Sequence, residues 1–470
     1  MGLDGQLERA IAVSGAELEA ARLGFHRRCP ARSARRVLYV TQIVFAGIVI
    51  AALVWAYRTD ADITLRALHV AAFVLFSVVV FWRLAAAANL TPILSRLANP
   101  SAFPTYTVLC PLYREASVVA DLVGALDKLD YPRSSLDIKL LVEADDAETL
   151  AAALAAASGL AHIEVIAIPP SAPRTKPKAL NIGLARARGE FVAVYDAEDR
   201  PHPLQLRAAL AAFEDGGEKL ACVQAPLHID NADASWIARQ FAAEYAIQFR
   251  EMLPLLARLA LPLPLGGSSN HFRTSTLRAS GGWDSHNVTE DADLGYRLAR
   301  DGYRAGVIAP PTSEEAPVTL RAWLSQRSRW IKGHLQTWLV LMRDPIRLVR
   351  ELGFWGFCSM QLTLGAGLVA AFAHGPLAFI VLTAALSPYD LLTPADFVLA
   401  LSGYCVAVFA ALSASALSGD LSHARAALTM PAYWPLSTLA AVRAIWELIF
   451  SPHHWSKTTH GVSARGATPR

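Results

Sequence analysis

Cysteine is scarce and unpaired. Cys29, Cys110, Cys222, Cys358 and Cys405 are scattered over 470 residues, a spacing that excludes both a disulfide framework and a cysteine-based zinc site. Charge is sparse as well. Only 18% of residues are Asp, Glu, Lys or Arg and the net charge is +3, too slight a basic excess for a nucleic-acid partner. No internal repeat or low-complexity tract is visible, and the alanine-rich stretch at 150–161 reads simply as helix. What fills the gap is apolar: 54% of residues are hydrophobic, more than a water-soluble domain needs, and this predicts spans in lipid.

The apolar residues are bunched. A run at 37–57 is long enough to cross about 30 Å of hydrocarbon, and a second at 67–82 follows a short polar link. Together they predict a two-helix transmembrane hairpin at 37–90. The first run begins too far into the chain, and extends too long, for a cleaved signal peptide. Arg22, Arg27, Arg28, Arg32, Arg35 and Arg36 precede it, so the segment 1–36 is expected on the cytoplasmic side. Runs at 354–373, 376–386, 397–417 and 428–450 predict further spans within 350–452, leaving 453–470 as a cytoplasmic tail. The spans lack the series of internal charges that a transporter uses. Between them and the central region, 318–345 mixes Trp323, Trp330 and Trp338 with Arg321, Arg327, Arg329 and Lys332. That composition predicts a helix along the membrane surface with its aromatics at headgroup depth.

From 105 to 309 the texture changes to short β-rich runs alternating with helical patterns. Strands are expected at 105–110, 137–143, 162–168, 190–196 and 219–224, an alternation that predicts βαβ units and a mainly parallel sheet in a cytoplasmic α/β domain spanning 100–317. Ligands of such sheets bind beyond the carboxyl ends of the strands, where acidic clusters fall in this chain.

Six motifs then follow in order: Thr107-Val-Leu-Cys-Pro-Leu-Tyr-Arg-Glu115, Leu141-Val-Glu-Ala-Asp-Asp-Ala-Glu-Thr149, Lys176-Pro-Lys-Ala-Leu-Asn181, Tyr195-Asp-Ala-Glu-Asp199, Val288-Thr-Glu-Asp-Ala-Asp-Leu-Gly295 and Gln326-Arg-Ser-Arg-Trp330. Their order and the flanking spans resemble the family 2 glycosyltransferases, in particular the membrane-bound, cellulose-synthase-like branch. The resemblance implies a nucleotide-sugar-binding GT-A-type, Rossmann-like domain flanked by transmembrane helices.

It also implies roles. Pro111, Tyr113 and Glu115 stand where the family holds base and ribose; Glu143 and Asp145 compete for a carboxylate accepting from the uracil N–H or ribose hydroxyls. Lys176 or Lys178 would approach the diphosphate, with Lys178 in the nucleotide set. Asp196 and Glu198 match the acid-x-acid pair that holds Mg²⁺ or Mn²⁺, and Asp199 is a neighbour or helix cap. Asp291 matches the base that deprotonates the acceptor hydroxyl, with Glu290 beside it. Gln326, Arg329 and Trp330 match the acceptor and diphosphate motif: Trp330 stacks on a sugar and Arg329 meets the leaving group. The glycine turn at Gly266 and Gly267 suggests an acceptor-side loop, His271 is expected to be structural, Glu314 to Pro317 to shape a lid, and 455–461 to gate or pack.

The expected activity is inverting transfer of a hexose, glucose from UDP-glucose first, onto a growing β-glucan or other polysaccharide at the inner membrane, with export subunits as partners. Single-sugar transfer to a membrane lipid, or a non-catalytic component of surface-polymer assembly, are the alternatives.

Overall fold

The computed structural model describes residues 10–386 and 392–455. Its strands are β1 (Ile11–Ala12), β2 (Tyr106–Leu112), β3 (Leu136–Glu143), β4 (Ile163–Ile168), β5 (Phe191–Val194), β6 (Arg200–Pro201), β7 (Leu220–Gln224), β8 (Leu227–Ile229), β9 (Asn270–Arg273), β10 (Arg304–Val307) and β11 (Thr312–Glu314). Eight of them form one sheet in the order β1-β4-β3-β2-β5-β9-β7-β10, and β6-β11-β8 form a small second one.

The runs that make β2 to β5 are almost continuously apolar, as a parallel sheet covered on both faces requires. Every residue of β3 and β5 is buried, and apolar cores lie on both sides of the sheet. The polar exceptions are paired. Lys139 on β3, 1% exposed, donates to Asp137 at 3.0 Å and to Glu164 at 2.8 Å, while Thr107 on β2 donates to Asp137 at 2.8 Å.

The five expected strands are found at β2, β3, β4, β5 and β7, each end within a residue or two. Strand β9 was not legible, being four residues long with a histidine inside it. It runs antiparallel between β5 and β7, and tertiary pairing makes it a strand: His271 bonds the Tyr106 hydroxyl at 2.8 Å and Gln205 at 3.1 Å. Because β9 enters where β5 ends, the loop before it lies against the carboxyl end of the sheet, with Ser269 N–H donating to the Val194 carbonyl at 2.8 Å.

The N-terminal segment is part of this domain. Ser14 and Glu17 form a capping box on the Gly15–Arg28 helix, β1 pairs with β4, and Ser33 donates to Asp284 at 3.2 Å.

Among the described residues, four helices are long and apolar enough to cross a membrane: Val40–Thr59, Ala61–Ala87, Pro345–Ala384 and Pro394–Ser418. The first two pack against each other in the stretch 37–90. Two differences arise further on. The runs at 354–373 and 376–386 belong to one helix that continues through Pro376. The run at 428–450 breaks into Met430–Tyr433 and Leu436–Phe450; the latter, about 22 Å long, is shorter than a bilayer core. The Leu320–Leu341 helix also differs in its surroundings. Trp323 is fully buried and its indole N–H donates to the Tyr433 hydroxyl at 2.7 Å, while Trp338 donates to Gln361 at 2.9 Å. These two aromatics therefore face protein, because the Leu436–Phe450 helix packs along this one.

The Glu290–Arg300 helix, which carries Asp291, approaches the chain at Leu263 so closely that a Cβ on Gly295 would press into the Leu263 carbonyl oxygen. Gly295→Ala is expected to lower stability by about 1–3 kcal/mol, whereas Gly124→Ala, in open space on an exposed helix face, should gain about 0.5–1 kcal/mol from helix propensity. Thermal melts of the two purified variants against wild type check both signs.

Candidate active site

Adjacent strands bring their carboxyl ends together. Neighbouring β3, β2 and β5 end at Glu143, Leu112 and Val194, so Glu143, the Pro111 to Glu115 turn and Asp196 share one rim. All of these, with Glu198, Asp291, Gln326, Arg329 and Trp330, line a single cavity of about 530 Å³. Sequence positions more than two hundred residues apart are thus gathered into one space.

The structure separates residues that the sequence left tied. Glu143 lines the cavity, while Asp145 lies outside its lining and pairs at 2.7 Å with Arg174, which is part of it. Of the two lysines, Lys176 is the one in the cavity. Lys178 is fully buried with its Nζ 2.7 Å from Glu143, so its expected contact with nucleotide gives way to holding that carboxylate from behind. The reason is helical: residues two apart lie on opposite sides of the Lys176–Ala185 helix.

Lys176 donates to the Gly267 carbonyl at 2.7 Å and forms an ion pair with Asp196. Burial pulls its pKa down, but Asp196 and then Glu290 outweigh that, so the ammonium is held above its usual range. Around Asp196 the carboxylates crowd. Asp199, wholly buried, accepts from the Asp196 N–H at 2.7 Å and from the Ser268 hydroxyl. Burial, then Asp196 and Glu198, push Asp199 well above the carboxylate range; burial followed by Asp199, Glu198 and Asp196 does the same to Glu314. One oxygen on each, Asp199 Oδ1 and Glu314 Oε2, is buried without a hydrogen-bond partner among the described residues. An acid cluster short of positive charge, with orphaned oxygens, fits a hard divalent cation. No group of three or more His, Cys, Asp or Glu among the described residues is arranged to hold a metal by itself.

Opposite Lys176, Asp291 begins the Glu290–Arg300 helix. Its Oδ1 accepts from the Ala292 N–H at 2.8 Å, and Gly267 lies so near that a Cβ there would sit 3.3 Å from Asp291 Oδ2. Thr289 occupies the cap position without capping; its hydroxyl turns to Asn287. Burial raises Glu290 to about 8, with Asp291 the second cause. Burial raises Asp291 too, opposed by the Ala292 N–H, Lys176 and Arg329. Two carboxylates side by side in one environment titrate apart: burial and Asp291 hold Glu290 toward its protonated form, while the Ala292 N–H, Lys176 and Arg329 favour the charged form of Asp291 against its burial.

The Leu320–Leu341 helix closes the cavity. Gln326 is 4% exposed with its Oε1 unpartnered, and Arg329 Nε also lacks a partner among the described residues. Arg329 faces Glu290, Asp291 and Asp196 and lies 5.5 Å from the Trp455 ring. Trp330 is half-buried, 6.1 Å from Tyr245 in a near-parallel stack. Of the expected gating segment 455–461, only Trp455 falls within the described residues.

Sequence reasoning did not single out Tyr245, Arg174 and His334, which also line the cavity; none sits in a motif, and only the fold collects them. The far wall comes from the candidate spans: Val79 and Ala86, Leu364 and Leu368, Ala407 and Ala410.

Residues 107–274 match the model of "Glycosyl transferase family 2", and residues 191–414 that of "Glycosyl transferase family group 2". The two matched stretches together run from 107 to 414. It is 25% identical over 280 residues to a beta-monoglucosyldiacylglycerol synthase of Synechocystis, covering 58% of this chain and 57% of that one. It is 24% identical over 254 residues to glucomannan 4-beta-mannosyltransferase 1 of rice, covering 53% and 49%. The chain therefore spans about half the length of these curated relatives. Among solved structures it resembles a mannosyltransferase of Pyrobaculum calidifontis in complex with GDP-Man and Mn²⁺, at 20% identity and a TM-score of 0.49, over 83% of this chain and 97% of that one. The domain has the expected α/β architecture, with a mixed sheet and with apolar helices before and after it in the chain.

Asp196→Ala and Glu198→Ala are expected to abolish the metal-dependent part of stabilisation by UDP. In wild type, UDP with Mn²⁺ at about a hundred times its Kd should add about 2.7 kcal/mol, read as a rise in melting temperature. The variants should show the same rise with or without Mn²⁺.

Proposed function

We propose that the protein is an inverting hexosyltransferase that moves a hexose from a nucleoside diphosphate sugar to a hydroxyl of a membrane lipid. One observation carries the choice of acceptor: the cavity that holds Asp291 continues to a wall of apolar side chains from three candidate spans. Acyl chains suit that wall, and the beta-monoglucosyldiacylglycerol synthase among the relatives is named for a lipid product. The arginine-rich flank before the hairpin supports a multi-pass protein of the inner membrane with its catalytic domain on the cytoplasmic side, where nucleotide sugars are made.

Pro111, Tyr113, Glu115 and Glu143 cradle the base and ribose. Asp196 and Glu198 would hold Mg²⁺ or Mn²⁺, which supplies charge neutralisation to a departing diphosphate. Lys176 and Arg329 add positive charge on the same side. Asp291 takes the proton from the acceptor hydroxyl as its oxygen attacks the anomeric carbon from the face opposite the diphosphate. Glu290, uncharged, keeps a second negative charge away from that oxygen. Trp330, backed by Tyr245, offers a face on which a sugar or polar headgroup stacks. The product is β-linked if the donor is α-linked, and UDP-glucose is the first donor to test.

A second reading, extension of a β-glucan or other polysaccharide with export subunits as partners, draws support from Gln326, Arg329 and Trp330 lining the cavity and from the rice relative's name. It requires a glycan path between the spans, for which an apolar wall is a poor lining. Incubation of membrane-reconstituted protein with UDP-[¹⁴C]glucose separates the two: label in the organic phase as a single-sugar lipid is expected, and label retained in an ethanol-insoluble polymer overturns the lipid reading.

Asp291→Asn should lower kcat by about 10²–10⁴ with little change in UDP binding; unchanged transfer would remove Asp291 from the role of base. In wild type, kcat/KM should fall as pH drops through the raised pKa of Asp291, above the ordinary carboxylate range. Glu290→Gln removes one member of the coupled pair, and the pH profile should then show one carboxylate ionisation in place of two, read from its slope.

A further inference from the structure

Three hydrogen-bond donors stand at the membrane end of the cavity with no acceptor among them. Arg83 is exposed, lines the cavity, and forms no ion pair among the described residues. The acid that faces it, Glu244, is already engaged by Arg327 and by the Tyr433 hydroxyl at 2.9 Å. Beside Arg83, the indole N–H of Trp82 also lines the cavity and is buried without a partner. Across from them His374 lies flat on Trp434 at 5.5 Å, its ring nitrogens without hydrogen bonds among the described residues.

Their depth is legible from the helix. Arg83 is about 33 Å along the Ala61–Ala87 helix from its first residue, one hydrocarbon thickness, and Ala86 and Ala87 just beyond it are buried in the catalytic domain. The donors therefore sit at headgroup level, between the apolar wall and the Trp330–Tyr245 stack. An exposed guanidinium at that depth draws anions to it, and its planar fork matches phosphate oxygens in pairs. Diacylglycerol offers only ester carbonyls and a hydroxyl.

We infer that the acceptor is an anionic glycerophospholipid with a hydroxyl in its headgroup, whose phosphodiester is held by Arg83, Trp82 and His374. The inference rests on the lipid reading above. The acyl chains lie on the span wall, the phosphate meets the donors, and the headgroup hydroxyl reaches past Trp330 toward Asp291. Arg83 acts as a binding and specificity residue, remote from the reacting atoms.

The test uses the full chain in phosphatidylcholine vesicles doped with phosphatidylglycerol or with an equal share of diacylglycerol, given UDP-[¹⁴C]glucose and Mn²⁺; UDP release and labelled lipid are both measured. Label is expected in phosphatidylglycerol over diacylglycerol by about tenfold or more, the ratio that one charge-assisted hydrogen bond supplies. Arg83→Gln should raise the apparent KM for phosphatidylglycerol about tenfold with kcat nearly unchanged, and Arg83→Lys should recover much of it; a wild-type thermal shift with UDP and Mn²⁺ verifies that each variant is folded. Equal transfer to diacylglycerol, or a KM unmoved by Arg83→Gln, overturns the inference while leaving a lipid glycosyltransferase. Water-soluble glycerophosphoglycerol serving as well as the vesicle lipid also overturns it, since the source would then be a free phosphodiester. UDP release with no label in any lipid sinks the underlying lipid reading instead.

Discussion

Lys176 is the charge around which the site is arranged. Its ammonium stands among Asp196, Glu290 and Asp291 and also ties down the Gly267 carbonyl. The end of β5, the glycine loop that leads into β9 and the start of the Glu290–Arg300 helix therefore converge on one cation. Take that charge away and three carboxylates face one another in a buried space, where like charges cannot all remain ionised. The acids that a transferase needs close together, for metal and for proton transfer, are compatible only because a fixed cation separates them.

The second constraint is continuity between a polar site and lipid. In a soluble enzyme the rim of the α/β sheet would open to water. Here the Leu320–Leu341 helix, flanked by the Leu436–Phe450 helix and the candidate spans, roofs it. One face of the cavity carries carboxylates and cations, the other aliphatic side chains, which is why the proposed acceptor is amphiphilic. Arg83, in the last turns of a span, stands where the two halves meet.

Much of this was legible in the sequence because its physical signals are local. Apolar strands bounded by acids gave β2 to β5 and β7, and long oily runs gave the hairpin. Other features were hidden for equally physical reasons. The strand β9 is too short and too polar to announce itself; its neighbours make it a strand. The run at 428–450 has the oiliness of a span, yet its breaks near Met430 and Pro435 leave helices too short to cross. Trp323 and Trp338 read as membrane anchors by composition, while packing turned them toward Tyr433 and Gln361.

The sequence by itself determined the α/β character, the oily flanks and the short list of acids and cations, since periodicity, hydropathy and motif order are properties of neighbours along the chain. Only the tertiary structure decided that Glu143 rather than Asp145 and Lys176 rather than Lys178 face the cavity, that burial lifts Glu290 and Asp291 beside Lys176, and that Arg83 joins them. Those outcomes depend on which side of a helix or strand a residue occupies and on how much water and how many charges the fold leaves around it, quantities set by residues hundreds of positions away.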